Sequence, residues 1–147
     1  MKIKKNKTYI IAEIGINHEG SFKNAIKLIS EAAKSGADAV KFQIFKPETL
    51  ASKVSEKTND QKKRTKKKES LYQMWKRMEF TLPQWKKLKA LSKKLKLDFI
   101  SSVFDKESFE LSKKIILSAY KVASSDLTDV KLLTDLQSSI FVEFSSI

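Results

Sequence analysis

A chain of 147 residues, 41% of them hydrophobic, can bury the core of one ordinary domain but not of two. It has no cysteine, which excludes disulfides and thiolate metal sites, and no apolar run of the ~18 residues that a membrane span needs. The basic residues 1–7 also lack the apolar segment of a secretion signal, so we expect a cytoplasmic protein without a membrane partner.

The formal net charge of +13 raises the question of a polyanionic partner, because lysines and arginines gain affinity for nucleic acids by displacing counterions from phosphates. Much of the excess lies in one polar stretch, Lys57 to Lys68 (KTNDQKKRTKKK), and the rest is spread as single lysines over helix faces. No nucleic-acid-binding motif accompanies these residues. The stretch therefore predicts a flexible, solvated basic loop in preference to a nucleic-acid or anionic-surface site.

Strands and helices are predicted to alternate along the chain. An apolar, β-branched segment at 8–14 predicts a strand, a loop follows, and apolar residues at helical spacing predict a helix over Phe22 to Lys34. The same criteria predict strands at 37–45, 97–103, 119–123 and 140–144, and helices at 83–96, 105–117 and 129–137. Such alternation is typical of a parallel sheet covered by helices, either doubly wound or closed as a barrel.

Polar side chains near the ends of successive strands favour the barrel, because barrel enzymes place their chemistry at the carboxyl ends of the strands. Six polar residues lie in or just after the C-terminal halves of the predicted strands: Glu13, Lys41, Gln43, Ser102, Lys121 and Ser124. Lys41 and Lys121 occupy equivalent places on two strands, and a charged amine inside a sheet is costly unless an anion or carboxylate meets it. The alternative for each lysine is a rim position from which the amine reaches water.

Two segments, Ile10 to Gly20 (IIAEIGINHEG) and Gly36 to Phe45 (GADAVKFQIF), resemble the opening of the N-acetylneuraminate (sialic acid) synthase family, which includes pseudaminate and legionaminate synthases. The resemblance continues in the family's order through 69–80 (ESLYQMWKRMEF), 98–105 (DFISSVFD) and 119–124 (AYKVAS). It implies an α/β fold, a (β/α)8 barrel of the TIM type followed by a small antifreeze-like domain. Residues 1–147 would be a truncated barrel of about five strands, without the C-terminal half-barrel and the small domain.

The activity that the resemblance implies is the condensation of phosphoenolpyruvate with an acylated amino sugar such as N-acetylmannosamine. Carbon 3 of phosphoenolpyruvate attacks the sugar aldehyde, water adds at carbon 2, phosphate leaves, and a nine-carbon 2-keto sugar acid results. The phosphate and carboxylate of phosphoenolpyruvate need cations and hydrogen-bond donors. The residues that match the family's phosphoenolpyruvate-binding positions are Lys41, Ser102, Lys121 and Ser124, with Ser145 as a further hydroxyl on the fifth strand.

Two carboxylates and one amide match other positions of the family's site. Asp126 falls where the family places an acidic residue suited to activate the water, which makes it the first candidate catalytic residue. Glu13, the second, and Gln43 match positions near the acceptor sugar. The alternative for Glu13 is simple pairing with Lys41 or Lys121. The alternative for Gln43 is a plain strand-end residue.

The family's reaction uses a divalent cation, Mn or Mg, held by two histidines on later strands. His18 is the only histidine in the sequence and belongs to the loop after the first strand, where a structural role is the more common one. The resemblance therefore implies no metal ligand within this sequence. An active enzyme would need either a complementing C-terminal half or a second copy of the chain. The non-catalytic alternatives are a truncated relic and a basic anion-binding module.

Overall fold

The computed structural model describes residues 7–65, 68–137 and 142–144, and strands and helices alternate through them. The strands are β1 (Ile11–Gly15), β2 (Ala39–Ile44), β3 (Asp98–Val103), β4 (Ala119–Val122) and β5 (Val142–Phe144). The helices are α1 (Phe22–Lys34), α2 (Pro47–Leu50), α3 (Asn59–Thr65), α4 (Leu71–Met78), α5 (Leu82–Lys94), α6 (Lys106–Lys113) and α7 (Val130–Gln137). In the described part of the chain, no helix is long and apolar enough to cross a bilayer.

The described strands form one parallel sheet in the order β1-β2-β3-β4-β5, so every strand pairs with the next one along the chain. A doubly wound sheet reverses its strand order at a switch point, whereas a barrel keeps the chain order around its circumference. The order therefore excludes the doubly wound alternative. It confirms the prediction of an α/β chain forming the first five strands of a barrel.

The two faces of the sheet carry different side chains, because successive residues of a strand point to opposite faces. One face packs against the helices and forms the main core, to which Phe42, Phe99 and Val122 contribute from the strands and Trp85 and Leu88 from α5. The other face carries a small apolar cluster of Ile11, Ala39, Ile100 and Ala119 with Tyr9 just before β1. No residue of the described helices takes part in this second cluster. We call the face of the sheet that carries this cluster the helix-free face.

Capping side chains explain where the helices begin. Ser21 accepts the Asn24 N–H at 3.2 Å before α1, Ser70 accepts the Gln73 N–H at 3.1 Å before α4, and Asp105 accepts the Ser108 N–H at 2.7 Å before α6. The helix predicted over Phe22 to Lys34 is confirmed residue for residue. The helix predicted at 105–117 ends early, at Lys113, because the turn that follows places Ile116 at φ 62°, in the left-handed region.

The basic stretch after β2 is only in part the solvated loop that its composition predicts. Part of it forms α3, and Lys57 is only 5% exposed, with its Nζ 3.8 Å from Glu69 Oε1. Glu69 in turn accepts two hydrogen bonds from the Arg77 guanidinium, which also donates to the Glu19 carbonyl at 2.7 Å. The prediction is wrong for Lys57, because Glu69, twelve positions along the chain, gives it a buried partner, and the predicted loop is wrong for α3, which is helical. The exposure is as predicted for Lys62, Lys63 and Lys68. Two further helices, α2 and α4, were also not predicted.

The turn before α1 depends on a glycine. Gly20 has φ +80°, and a Cβ there would lie 2.2 Å from the Arg77 carbonyl oxygen. We expect Gly20→Ala to lower the free energy of unfolding by about 3 kcal/mol or more, since the left-handed backbone alone costs ~1–2 kcal/mol and the clash adds to it. Chemical denaturation measures this. Gly36 is a matched control, because it also has φ +80° but no atom within 4 Å of its added Cβ. Equal losses for both alanine variants would contradict the clash.

Candidate functional site

Four of the seven candidate residues lie on the helix-free face by direct register. Glu13 on β1 pairs in register with Lys41 on β2, and Gln43 on β2 pairs with Ser102 on β3. Ala39, two residues before Lys41, belongs to the apolar cluster of that face, so Lys41 and Gln43 share it. The register thus confirms that side chains from three strands gather near the carboxyl ends of β2 and β3.

The fifth candidate, Lys121 on β4, follows from the same register. Ser101 pairs with Tyr120, so Ser102 and Lys121 are the next residues along their strands and face the same side as Ala119. Lys121 is partly buried, and its register partner on β5 is Glu143. Ser145, the further hydroxyl suggested by the resemblance, lies outside the described residues.

The two lysines are not equivalent in register, although the sequence predicts that they are. Lys41 lies opposite Ile100 and Ile100 lies opposite Ala119, which places Lys121 two residues further toward the carboxyl end. In an eight-strand barrel of shear 8 the register shifts by about one residue per strand, and alternate strands contribute to one layer. A two-residue offset between β2 and β4 matches that stagger. That both ammonium groups meet one anion stays a prediction.

Lys41 has the carboxylate partner that a buried amine requires. Its ammonium forms an ion pair with Glu13 Oε2, and the Lys41 side chain is 12% exposed while that of Glu13 is 51% exposed. The structure therefore confirms the alternative interpretation of Glu13, namely that it pairs with a lysine of a neighbouring strand. A role for Glu13 toward an acceptor sugar stays a prediction, and its half-exposed carboxylate can still reach a ligand on this face.

A glycine makes room for this arrangement. The register shifts between Glu13 and Gly15, and Gly15 has φ +51°. A Cβ at Gly15 would lie 3.0 Å from Glu13 Oε1 and 3.9 Å from the side-chain amide of Gln43. Because Gly15 has no side chain, the Glu13 carboxylate and the Gln43 amide can both lie close to its backbone. We did not predict Gly15 as a site residue, although a glycine inside a strand pattern is a signal for a bulge or a close approach.

The last two candidates, Ser124 and Asp126, lie in the short 3-10 turn that follows β4. Ser124 is exposed, and Asp126 accepts a hydrogen bond from the Ser125 hydroxyl on Oδ1 at 2.8 Å. Asp126 Oδ2 is buried without a hydrogen-bond partner in the described chain. Its lone pairs are therefore free to accept a proton or a water molecule. Within residues 7–65 and 68–137, no hydrogen bond or ion pair joins this turn to the other five candidates.

His18 has a structural environment. It is fully buried, its ring stacks on Phe80 with centroids 4.4 Å apart, and its Nδ1 accepts the Gly20 N–H at 3.1 Å. Burial lowers the pKa of His18 to about 4, so the ring is neutral at pH 7. The described residues contain no group of three His, Asp or Glu side chains placed to hold a metal ion, so they do not fit the divalent cation that the resemblance implies.

Comparisons with known proteins agree with this geometry. Residues 28–140 match the NeuB family. N,N'-diacetyllegionaminic acid synthase of Campylobacter jejuni is 42% identical over 127 residues, which are 86% of this chain and 38% of that protein. The chain belongs to the NeuB family. The enzyme of the same name from Legionella pneumophila is 37% identical over 85% of this chain and 35% of its own length.

Solved structures give the same result for the fold. The sialic acid synthetase from Leptospira borgpetersenii, solved in complex with citrate, superimposes with a TM-score of 0.76 at 28% identity. The superposition covers 95% of this chain and 44% of that structure. This NeuB-family chain thus spans less than half the length of each of these three relatives.

The ion pair on the helix-free face of this NeuB-family chain should contribute measurably to stability. We expect Glu13→Gln and Lys41→Met to show a coupling free energy of about 1 kcal/mol in a double-mutant cycle, since one partner is largely buried. Denaturation of the two single variants and the double variant measures it. Glu31 and Lys34, whose side chains are 54% and 71% exposed, form a matched surface pair. A coupling no larger than that of the surface pair would contradict the structural importance of the buried pair.

The buried imidazole predicts a specific pH dependence. The pKa of His18 is lowered from 6.5 to about 4 in the folded chain, so below pH 6.5 the unfolded chain takes up a proton that the folded chain does not. Stability should therefore fall as the pH falls, by about 2 kcal/mol between pH 7.5 and pH 5 from this group alone. His18→Phe keeps an aromatic ring against Phe80 and should remove this decrease. An unchanged pH profile in that variant would contradict the assignment.

Proposed function

We propose that this chain supplies the phosphoenolpyruvate-binding part of a synthase that condenses phosphoenolpyruvate with an acylated amino sugar, such as N-acetylmannosamine, to give a nine-carbon 2-keto sugar acid. The observation that carries the proposal is the gathering of Lys41, Gln43, Ser102 and Lys121 on the helix-free face toward the carboxyl end of the sheet. Membership of the NeuB family supports the choice of reaction.

The proposed roles follow from the chemistry of each group. Lys41 and Lys121 bind the phosphate and carboxylate of phosphoenolpyruvate, since charge-assisted hydrogen bonds are the strongest available for these anions. The hydroxyls of Ser102 and Ser124 donate to the remaining oxygens. Asp126 takes a proton from the water that adds at carbon 2, for which its unpartnered Oδ2 is suited.

Glu13 and Gln43 are proposed to face the acceptor sugar. The Gln43 amide can both donate to and accept from sugar hydroxyls. Glu13 has a second effect, because its negative charge lies beside the amine that would bind an anion. Phosphoenolpyruvate binding at Lys41 therefore has to displace or share this ion pair. The family's divalent cation has no ligand set in the described residues, and the proposed roles of these side chains do not depend on it.

Binding of phosphoenolpyruvate tests the first half of the proposal. We expect Lys121→Met to weaken it by about tenfold or more, because a hydrogen bond to a charged group contributes ~1.5–3 kcal/mol. Glu13→Gln should strengthen it by removing a competing carboxylate. Titration calorimetry measures both, with Lys86→Met as a control that removes an exposed lysine of α5. Binding that survives both Lys41→Met and Lys121→Met would refute the assignment.

Phosphate release tests the reaction. The chain is mixed with the C-terminal portion of the Campylobacter jejuni relative, beginning where the match ends, and with phosphoenolpyruvate, N-acetylmannosamine and Mn²⁺. We expect release from the mixture and none above background from the chain alone. Asp126→Asn should abolish release while leaving phosphoenolpyruvate binding intact. If Asp126→Asn is as active as the unchanged mixture, its role as base fails. If a well-folded mixture is inactive with acylated amino sugars, the substrate assignment fails.

A further inference from the structure

A cavity of about 610 Å³ lies at the amino ends of β3 and β4, on the opposite end of the sheet from the candidate site. Its wall is formed by the last turns of α5, the first residue of β3 and the turn between α6 and β4. Asp98 lines it, whereas Ser102 of the same strand belongs to the candidate site, and the four residue steps from Asp98 to Ser102 rise by about 13 Å. The volume is in the range of small-molecule sites, and the cavity is widely open to solvent.

The cavity is strongly basic. Lys89, Lys93 and Lys96 line it, and the first two lie one helical turn apart on the same side of α5. Asp98 is the only carboxylate in its wall, and Asp98 Oδ2 already accepts a hydrogen bond from the Tyr9 hydroxyl at 2.5 Å. The cavity therefore presents a surplus of cations to whatever enters it.

Lys89 is the unusual member of this group. It is partly buried, its Nζ donates to Ser118 Oγ at 3.2 Å and lies 5.8 Å from the centroid of the Phe99 ring, and it forms no ion pair with any described residue. Burial lowers the pKa of Lys89, and only the more distant Asp98 opposes this. Lys41 and Lys46, two other partly buried lysines, each pair with a glutamate. Lys89 is thus a partly buried cation that forms no ion pair in the described chain, although the charge of Asp98 acts on it.

Compensation of the helix dipole does not explain why the Lys89 ammonium is partly buried in this cavity. The final carbonyls of α5 are already satisfied by backbone, since the N–H groups of Leu95, Lys96 and Leu97 donate to Leu91, Lys93 and Ser92. Lys93 and Lys94 lie in the last turn, where a positive charge favours the helix end. Lys89 lies more than one turn earlier, and its ammonium is directed to Ser118 across the cavity wall.

The other wall adds a donor and an apolar rim. Ser118 Oγ accepts from both Lys89 and the Phe99 N–H, so its own hydroxyl proton is left for an acceptor. Ile116 is 73% exposed and has φ 62°, a backbone conformation that is costly for a β-branched residue. A phosphate joined to an organic group could bind here. Its phosphate would interact with the cations and the hydroxyl donor, and its organic group would contact the exposed aliphatic side chain.

We propose that this cavity binds a small phosphate monoester, with Lys89, Lys93 and Ser118 at the phosphate and Ile116 against the organic part. The site is separate from that proposed for phosphoenolpyruvate, because it lies at the amino ends of the strands. Its ligand is not a reactant of the condensation in this proposal. Occupation neutralises Lys89 and covers Ile116.

Titration of the isotope-labelled chain with AMP tests the proposal by NMR. We expect saturable shifts of the amides at 115–118 in the millimolar range, and at least about tenfold weaker binding in Lys89→Met. Lys94→Met removes a neighbouring exposed lysine that does not line the cavity and should bind as the unchanged chain does. Lys121→Met, at the other end of the sheet, should also retain AMP binding.

A second variant separates the two parts of the ligand. Ile116→Gly relieves the left-handed backbone and removes the apolar rim, so it should weaken AMP binding while leaving inorganic phosphate binding unchanged. If Lys89→Met does not fold, Lys93→Met takes its place. The proposal is overturned if no saturable shift occurs at 115–118, or if Lys94→Met loses as much affinity as Lys89→Met. Loss of AMP binding in Lys121→Met would place the ligand in the candidate site instead.

Discussion

Alternation of side chains between two faces of a parallel sheet is the constraint on which the rest of this structure depends. Helices cover one face, so Phe42, Phe99 and Val122 must be apolar there. The other face need not be apolar toward the carboxyl ends of the strands, because no described helix packs there. At these ends it carries amines, an amide and a hydroxyl. A shift of one residue in β2 or β4 would exchange the two sets and bury Lys41 or Lys121 against the helices. Register therefore fixes both the core and the site.

Local patterns predicted much of this fold. Helix α1 was predicted to the residue because its apolar spacing is regular, and in the structure Ser21 caps its first turn. The five strands were found because each is a short apolar run between helical segments, and their ends differ by no more than three residues from the prediction. The helices between β2 and α5 were not predicted, because they are short and depend on partners distant in the sequence. Lys57 and Glu69 give no sign in the sequence that they pair and become buried.

The candidate site was predictable in its residue types and less so in its geometry. Lysines inside apolar runs identified Lys41 and Lys121, but only the register reveals their two-residue offset. Gly15 was overlooked because its importance lies in the backbone shift that brings Glu13 beside Gln43, and a shift of this kind has no residue signature beyond the glycine. The basic cavity was equally hidden, since Lys89 resembles any other lysine of α5 until its burial is seen.

The chain-ordered sheet also bears on how the polypeptide is made. Each strand pairs with the one synthesised just before it, so the sheet can grow from its N-terminal edge while the ribosome is still at work. The connection from β2 to β3 is more than twice as long as that from β1 to β2. The entropic cost of closing the longer connection is therefore higher by only about 0.7 kcal/mol. The Lys57, Glu69 and Arg77 cluster ties this long connection back to Glu19 in the first loop. Charged side chains thus hold the longest connection of the described sheet against the loop that follows β1.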